Sequence, residues 1–214
     1  MRKKLNVLIA CEESQAECNA FRALGHRAFS CDLQPARKGT PLSTHIIADC
    51  RTIWNCPATF MTEDNKRHRV AQWDLIICHP PCTYLCKVSS VHMVINGILD
   101  KTRFKKMLEA RDFFFECLNA PAKYVAVENP LFMARAELPP PTTYIQPFWF
   151  GVKYSKKTLY WLKNLPPIMP TKLNPNYKCF VTASRGKYRS RTFPEVAAAI
   201  AQQWSAYILA DLQK

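Results

Sequence analysis

Glycine is scarce in this chain: five residues in 214. None lies in the loop after the first apolar run, Cys11-Glu12-Glu13-Ser14-Gln15. A turn that cradles phosphate needs close backbone approach and does not accommodate an acidic pair, so dinucleotides and ATP are poor ligands for this loop. Acidic residues are also few, 16 against 30 Lys and Arg, which leaves a formal net charge of +14. A surplus of that size suggests a polyanionic partner, the bland alternative being a basic surface that aids solubility. The basic residues cluster at Lys66 to Arg69, Lys101 to Lys106, Lys153 to Lys157 and Arg185 to Arg191, and clustering favours nucleic acid. No apolar run reaches the length of a membrane span. The basic and then apolar start, Met1 to Ala10, has no cleavage-site pattern after it, and charge returns at Glu12 and Glu13. A buried first strand is expected there rather than a signal peptide.

Ten cysteines are present, yet no two stand in a Cys-x-x-Cys pair. The usual zinc spacing is therefore missing, and no metal is expected. Several cysteines end apolar strands, where the residue acts as a small buried hydrophobe. A reducing cytoplasm is the expected location. No repeat or low-complexity tract is visible.

Apolar residues make up 48% of the chain, enough for one domain with a full core over residues 1–214. Runs of strand length alternate with helical patterns. Strands are expected at Asn6 to Ala10, Arg27 to Cys31, His45 to Ala48, Trp73 to Cys78 and Tyr124 to Val127. A helix is expected over Ser14 to Leu24, capped by Ser14 with Glu17 three residues later and stopped by Gly25. Phe104 to Leu118 reads as an amphipathic helix with Met107, Phe114, Cys117 and Leu118 near one face. Beyond Pro139-Pro140-Pro141, Ile145 to Phe150 and Thr158 to Leu162 read as two more strands, possibly antiparallel. A last helix begins near Phe193, with Val196, Ile200, Trp204, Ile208 and Leu212 at four-residue spacing. The alternation predicts an α/β domain with a largely parallel sheet.

Asp32, Asp49, Cys82 and Glu128 each follow the C-terminal end of an expected strand, the edge at which open α/β sheets bind ligands. Cys82 follows Pro80-Pro81, whose fixed φ makes a stiff turn, and a rigid thiol near a proton-handling group can act as a nucleophile. Read alone, it would be one more buried cysteine. Glu128 could cap a helix, or could grip the polar edge of a base and exchange a proton with a ring nitrogen. Asn129 is expected to shape the turn. Asp32 stands where an acid accepts hydrogen bonds from ribose hydroxyls, and Asp49 stands in a matching place; either alone could be a turn residue. Together with the acidic first loop they suggest a nucleoside-containing cofactor that carries positive charge, as S-adenosylmethionine does.

Eight segments carry a resemblance. They are Leu8-Ile-Ala-Cys-Glu-Glu-Ser-Gln15, Ser30-Cys-Asp-Leu33, His45-Ile-Ile-Ala-Asp49, His79-Pro-Pro-Cys-Thr-Tyr-Leu85, Val127-Glu-Asn-Pro130, Gln146-Pro-Phe-Trp-Phe-Gly151, Lys156-Lys-Thr-Leu-Tyr-Trp-Leu162 and Ser190-Arg-Thr-Phe-Pro194. In this order, with Cys82 and Glu128 46 positions apart, the chain resembles the DNA cytosine-5 methyltransferase family, and most of all its short phage- and prophage-type members. The resemblance implies a Rossmann-like S-adenosylmethionine-dependent methyltransferase fold, a mostly parallel sheet with helices on both faces. It implies catalytic roles for Cys82, Glu128 and Asn129. Cofactor contacts would come from Cys11, Glu12, Glu13, Ser14, Asp32, Leu33, Asp49, Cys50, Pro80 and Thr192, and substrate contacts from Pro81, Lys156, Lys157, Arg185 and Arg189. The implied partner is duplex DNA with the target cytosine flipped out of the stack. The short, basic, irregular stretch 163–191 stands where larger members of the family carry a target-recognition domain.

Three alternatives stay open at this level. The substrate could be a free cytosine nucleotide. An amino-methyltransferase would need Asp, Asn or Ser before the double proline and an aromatic after it, where this chain has His79 and Cys82. A non-catalytic nucleic-acid binder would explain the charge but not the thiol and carboxylate at strand ends.

Overall fold

The computed structural model describes residues 4–180 and 191–213. Its main sheet has seven strands: β1 Asn6–Ala10, β2 Arg27–Asp32, β3 His45–Ile47, β4 Leu75–Cys78, β5 Tyr124–Pro130, β6 Thr143–Ile145 and β7 Thr158–Lys163. Their order across the sheet is β3-β2-β1-β4-β5-β7-β6. The first five run parallel, and β7 runs antiparallel to both of its neighbours. The chain order reverses between β1 and β4, which opens a crevice at the C-terminal ends of these strands.

The central strands are near-continuous apolar runs because both faces of the sheet are covered. Every residue of β4 is buried, as are Val7 to Ala10 of β1. On one face lie α1 Ala16–Ala23 and a C-terminal helix, Pro194–Asp211; Phe21 and the stripe Val196, Ile200, Trp204 and Ile208 pack on Val7, Ile9, Leu75 and Ile77. On the other lies α2 Lys101–Leu118, whose Met107, Phe114 and Cys117 pack on Leu8, Ile76, Val125 and Val127. We number the C-terminal helix α3. This is the Rossmann-like α/β arrangement expected, a mostly parallel sheet with helices on both faces. No helix among the described residues is long and apolar enough to cross a membrane.

Four local expectations are corrected. α2 begins at Lys101, three residues early, because the Asp100 side chain accepts the Arg103 amide and caps it. The strand expected at Ile145 to Phe150 is replaced by Thr143–Ile145 and a turn at Pro147–Trp149, since Pro147 has no amide for a ladder. β5 does not stop before Glu128 but runs on to Pro130, because β7 supplies partners as far as Pro130 opposite Thr158. A two-stranded hairpin, Ala58–Met61 with Arg67–Val70, was not anticipated.

The fourth correction concerns the entry to α1. No capping box forms: Gln15 is the N-cap, in the left-handed region at φ 56, and Cys11 sits at φ 61. These are conformations glycine adopts freely and other residues adopt at a cost. Gln15 is held there by its own amide, which donates to Thr40 Oγ1 at 3.0 Å and the Pro41 carbonyl at 2.9 Å, and accepts from Thr44 Oγ1 at 2.6 Å. The side chain is fully buried. Gln15→Ala should lose these three bonds and destabilise the chain by about 2–4 kcal/mol in urea unfolding. Gln15→Gly should be less damaging than Gln15→Ala by about 1 kcal/mol, because it removes the left-handed strain.

Candidate active site

A cleft of about 800 Å³ opens at the C-terminal edge of β1, β2, β4 and β5. From the first loop it is lined by Cys11, Glu12, Glu13 and Ser14, and from the end of β2 by Asp32. The turn after β4 contributes Pro80, Pro81 and Cys82, and β5 contributes Glu128 and Asn129. Lys156, Lys157 and Thr192 close the far side. Thirteen of the residues singled out in the sequence therefore share one cavity.

Three others do not line it. Leu33 is 70% exposed at the surface, and Cys50 is buried in the core beside Cys11. The Asp49 carboxylate is gripped by the Arg51 guanidinium, with Nε at 3.0 and 2.9 Å from its two oxygens, and also caps the turn that begins at Cys50. These bonds hold the Asp49 pKa low. Arg185 and Arg189 lie outside the described residues. His79, Cys86, Lys87, Val88 and Arg191 also line the cleft, although the sequence did not single them out as site residues.

The nucleophile loop is braced from several sides. The His79 amide donates to the Ala10 carbonyl at 2.9 Å, which carries the β1–β4 pairing one residue past Cys78. Asn129 Nδ2 donates to the Pro80 carbonyl at 2.9 Å and ties the double proline to β5. The Leu85 and Cys86 amides both donate to the Cys82 carbonyl, and Lys87 and Met133 bond across to Leu131 and Leu85. Asn129 thus clamps the loop from a buried position.

Cys82 and Cys86, one turn apart, both face the cleft, and their thiols are hydrogen-bonded. The neighbouring Cys86 thiol, then burial and the nearby Glu128 charge, push the Cys82 pKa up. The same bond, with help from Ser89, brings Cys86 down to about 5.

Glu12 is buried, and its carboxylate accepts the amides of Glu17 at 2.8 Å and Cys18 at 3.3 Å. It therefore fills the N-terminal end of α1, where a phosphate would otherwise sit. Burial, and then the charge of Glu17, push its pKa up to about 8.

Glu17 was expected to serve the helix cap. Instead it is fully buried and turned inward, with Oε2 3.3 Å from His79 Nε2. His79 Nδ1 lies 3.1 Å from Glu128 Oε2. Burial by itself would lower the His79 pKa, but the field of Glu17 and the hydrogen bonds with Glu128 and Glu17 outweigh it and raise the pKa well above the ordinary value. Burial would raise Glu128, but the His79 hydrogen bond and the Lys156 charge bring its pKa below the usual carboxylate value. The only sequence signal for Glu17 was a charged residue on a short helix otherwise buried through Cys18 and Phe21.

No family model matches the chain, and no similar curated protein is found. Among solved structures, the chain is similar to one described as a candidate DNA modification methyltransferase encoded within an E. coli prophage. The two are 15% identical with a TM-score of 0.46, over 80% of this chain and 52% of the other. The chain thus spans about half the length of that protein, and any functional reading rests on the cleft itself.

The buried charges link the site to stability. His79 and Glu12 both have folded pKa values above their ordinary ones, 6.5 and 4.5. Each adds stability that is complete below its unfolded value and is lost as pH rises through its folded value. Cys86 contributes the opposite slope and is untouched by changes at Glu17. Glu17→Gln removes a cause of both upward shifts. Between about pH 6 and 8 the wild type should therefore lose more stability than Glu17→Gln, by on the order of 1 kcal/mol, in urea midpoints taken at each pH.

Proposed function

We propose that the protein transfers a methyl group from S-adenosylmethionine to carbon-5 of cytosine in DNA, with Cys82 as the attacking nucleophile. The observation that carries this reading is the meeting of the Cys82 thiol and the Glu128 carboxylate in one cleft with the acidic first loop and Asp32.

The cofactor side of the cleft suits a cation. Glu12, Glu13 and Asp32 line it, and the helix amides that would attract phosphate are taken by Glu12. Asp32, whose Oδ1 accepts the Gln34 amide at 2.8 Å, would accept hydrogen bonds from ribose hydroxyls. S-adenosylmethionine, when bound, supplies an electrophilic methyl on a sulfonium.

On the substrate side, Cys82 passes its proton to the Cys86 sulfur and adds through Sγ to carbon-6 of the ring. Glu128 holds the ring at N3 and the amino group, which favours build-up of electron density at carbon-5. Once carbon-5 is methylated, its proton passes to water, the carbon-5–carbon-6 double bond re-forms as the carbon-6–sulfur bond breaks, and Cys82 is freed as thiolate. Asn129, bonded to the Pro80 carbonyl, ties the loop that carries Cys82 to the strand that carries Glu128. Lys156 and Lys157 line the cleft wall, the Lys156 ammonium 3.2 Å from the Arg191 carbonyl and that of Lys157 4.2 Å from the Tyr144 ring centre. With Lys87 they offer positive charge to a phosphate backbone. A base in duplex DNA must leave the stack to reach Cys82.

Asp32→Ala should weaken S-adenosylmethionine binding by about 1.5–3 kcal/mol in calorimetry while the fold stays intact, as expected for lost charge-assisted hydrogen bonds. Unchanged affinity would remove Asp32 from the cofactor site.

The decisive test is covalent trapping. Duplex DNA carrying 5-fluorocytosine should form a protein–DNA adduct that needs S-adenosylmethionine and survives denaturation, because fluorine cannot leave carbon-5 as a proton does. Cys82→Ser should abolish the adduct, and Cys86→Ser should keep it but form it more slowly. An adduct mapped to Cys86 would transfer the nucleophile's role to that residue. Methyl found on the exocyclic nitrogen, or transfer to a free cytidine nucleotide in preference to DNA, would overturn the reading.

A further inference from the structure

An ionised carboxylate only accepts hydrogen bonds, and a neutral imidazole has a single N–H to give. His79 stands with each ring nitrogen against a different carboxylate, Glu128 at 3.1 Å and Glu17 at 3.3 Å. Both contacts are made by ionised partners only if both nitrogens carry a proton. We propose that His79 holds the proton that Glu128 passes to the cytosine ring, and that Glu17 is the positioning residue that keeps it on His79 until the ring accepts it. The proposal rests on the carbon-5 methyl-transfer reading and adds to it the source of the ring proton.

Glu128 sits at the cleft wall, held as a carboxylate, and a carboxylate has no proton to give N3. When Cys82 adds to carbon-6, negative charge develops on the ring and N3 becomes basic. The Nδ1–H bond of His79 then breaks as an O–H bond forms on Glu128, and that bond breaks in turn as N3–H forms. The charge that sulfur brought to the ring is thereby neutralised. When sulfur departs, the proton returns by the same path, so no oxidant or further reactant is needed. Glu17 takes no part in the transfer and does not line the cleft. It is fully buried, and its Oε1 has no hydrogen-bond partner among the described residues. A buried carboxylate left half-satisfied is costly, and a cationic neighbour offsets that cost.

The other charged groups around His79 fit this assignment. Glu12, from the first loop, acts on His79 through its field, and burial pushes its own pKa up to about 8. Lys156, across the cleft, acts on Glu128 and helps hold it ionised. Tyr160, on β7 beside both carboxylates, is buried with its pKa raised, and it stays neutral.

The test uses the full chain with two readouts, ¹⁵N titration of the His79 ring in the free protein and the pH profile of single-turnover methyl transfer to duplex DNA. In the wild type both ring nitrogens should be protonated at neutral pH, and the rate should fall only on the alkaline side, with the ring. Glu17→Gln should lower the pH at which the ring titrates and move the alkaline limb with it. On the alkaline limb, above the pH at which the wild-type ring titrates, the rate should drop about tenfold, as a one-unit shift produces, with the rate at pH 6 kept within about twofold. Glu17→Asp, which keeps the charge at shorter reach, should fall between the two. A neutral His79 in the wild type overturns the proposal. So does a uniform loss of rate at every pH in Glu17→Gln, which marks a merely structural role. If the wild type transfers no methyl group at all, the methyl-transfer reading is what fails, and the ring titration alone judges the pairing of Glu17 with His79.

Discussion

The imidazole of His79 joins three segments that are far apart in the chain. Through Glu17 it reaches α1, through Glu128 it reaches β5, and its own backbone extends β4 against β1. Removing three such groups from water is expensive, and the arrangement persists only because each carboxylate faces a cation. The constraint acts on geometry as much as on charge. The stiff double proline follows His79 directly, and Cys82 after it lines the cleft together with Glu128. Asn129 adds a second clamp from the same strand through its bond to Pro80.

The glycine-poor first loop belongs to the same design. Glu12 turns its carboxylate onto the free amides of α1, and the helix end that would attract an anion is neutralised from within. The backbone reaches this shape with Cys11 and Gln15 in left-handed conformations, and Gln15 is kept there by a network of buried hydrogen bonds. What remains at the mouth is acidic, on a protein whose formal net charge is +14. The cleft is thus divided by sign. The acidic part, around Glu12, Glu13 and Asp32, suits a cationic cofactor; Lys87, Lys156 and Lys157 on the other walls suit a polyanion.

Position and proton are separated at the thiols. Cys82 has the rigid placement that a nucleophile needs, while its neighbour Cys86 helps push its pKa up and has its own brought down. With its pKa raised, Cys82 keeps its proton while the site is empty of substrate, and that proton must be taken up as sulfur adds to the ring. Glu128 shows the complementary case, a carboxylate held ionised by His79 and Lys156 until a ring nitrogen competes for a proton.

The sequence alone determined the order and type of the main elements, because apolar runs and helical stripes are local patterns that survive folding. Val196, Ile200, Trp204 and Ile208 bury as one stripe, and β1, β2, β3 and β4 lie within a few residues of their expected spans. It also determined that Asp32, Cys82 and Glu128 meet, since parallel strands bring their C-terminal ends to one edge. Tertiary structure decided what depends on a partner strand or a facing side chain. Glu128 lies within β5 rather than past its end, because β7 pairs on to Pro130. Asp49 turned to Arg51 and left the cleft, because a guanidinium two residues away out-competes a distant ligand site. Glu17 looked like half of a capping box, and only the packing of α1 against β1 and β2 brought it to His79. A carboxylate's role is set by the nearest cation, and distance in space is not written in spacing along the chain.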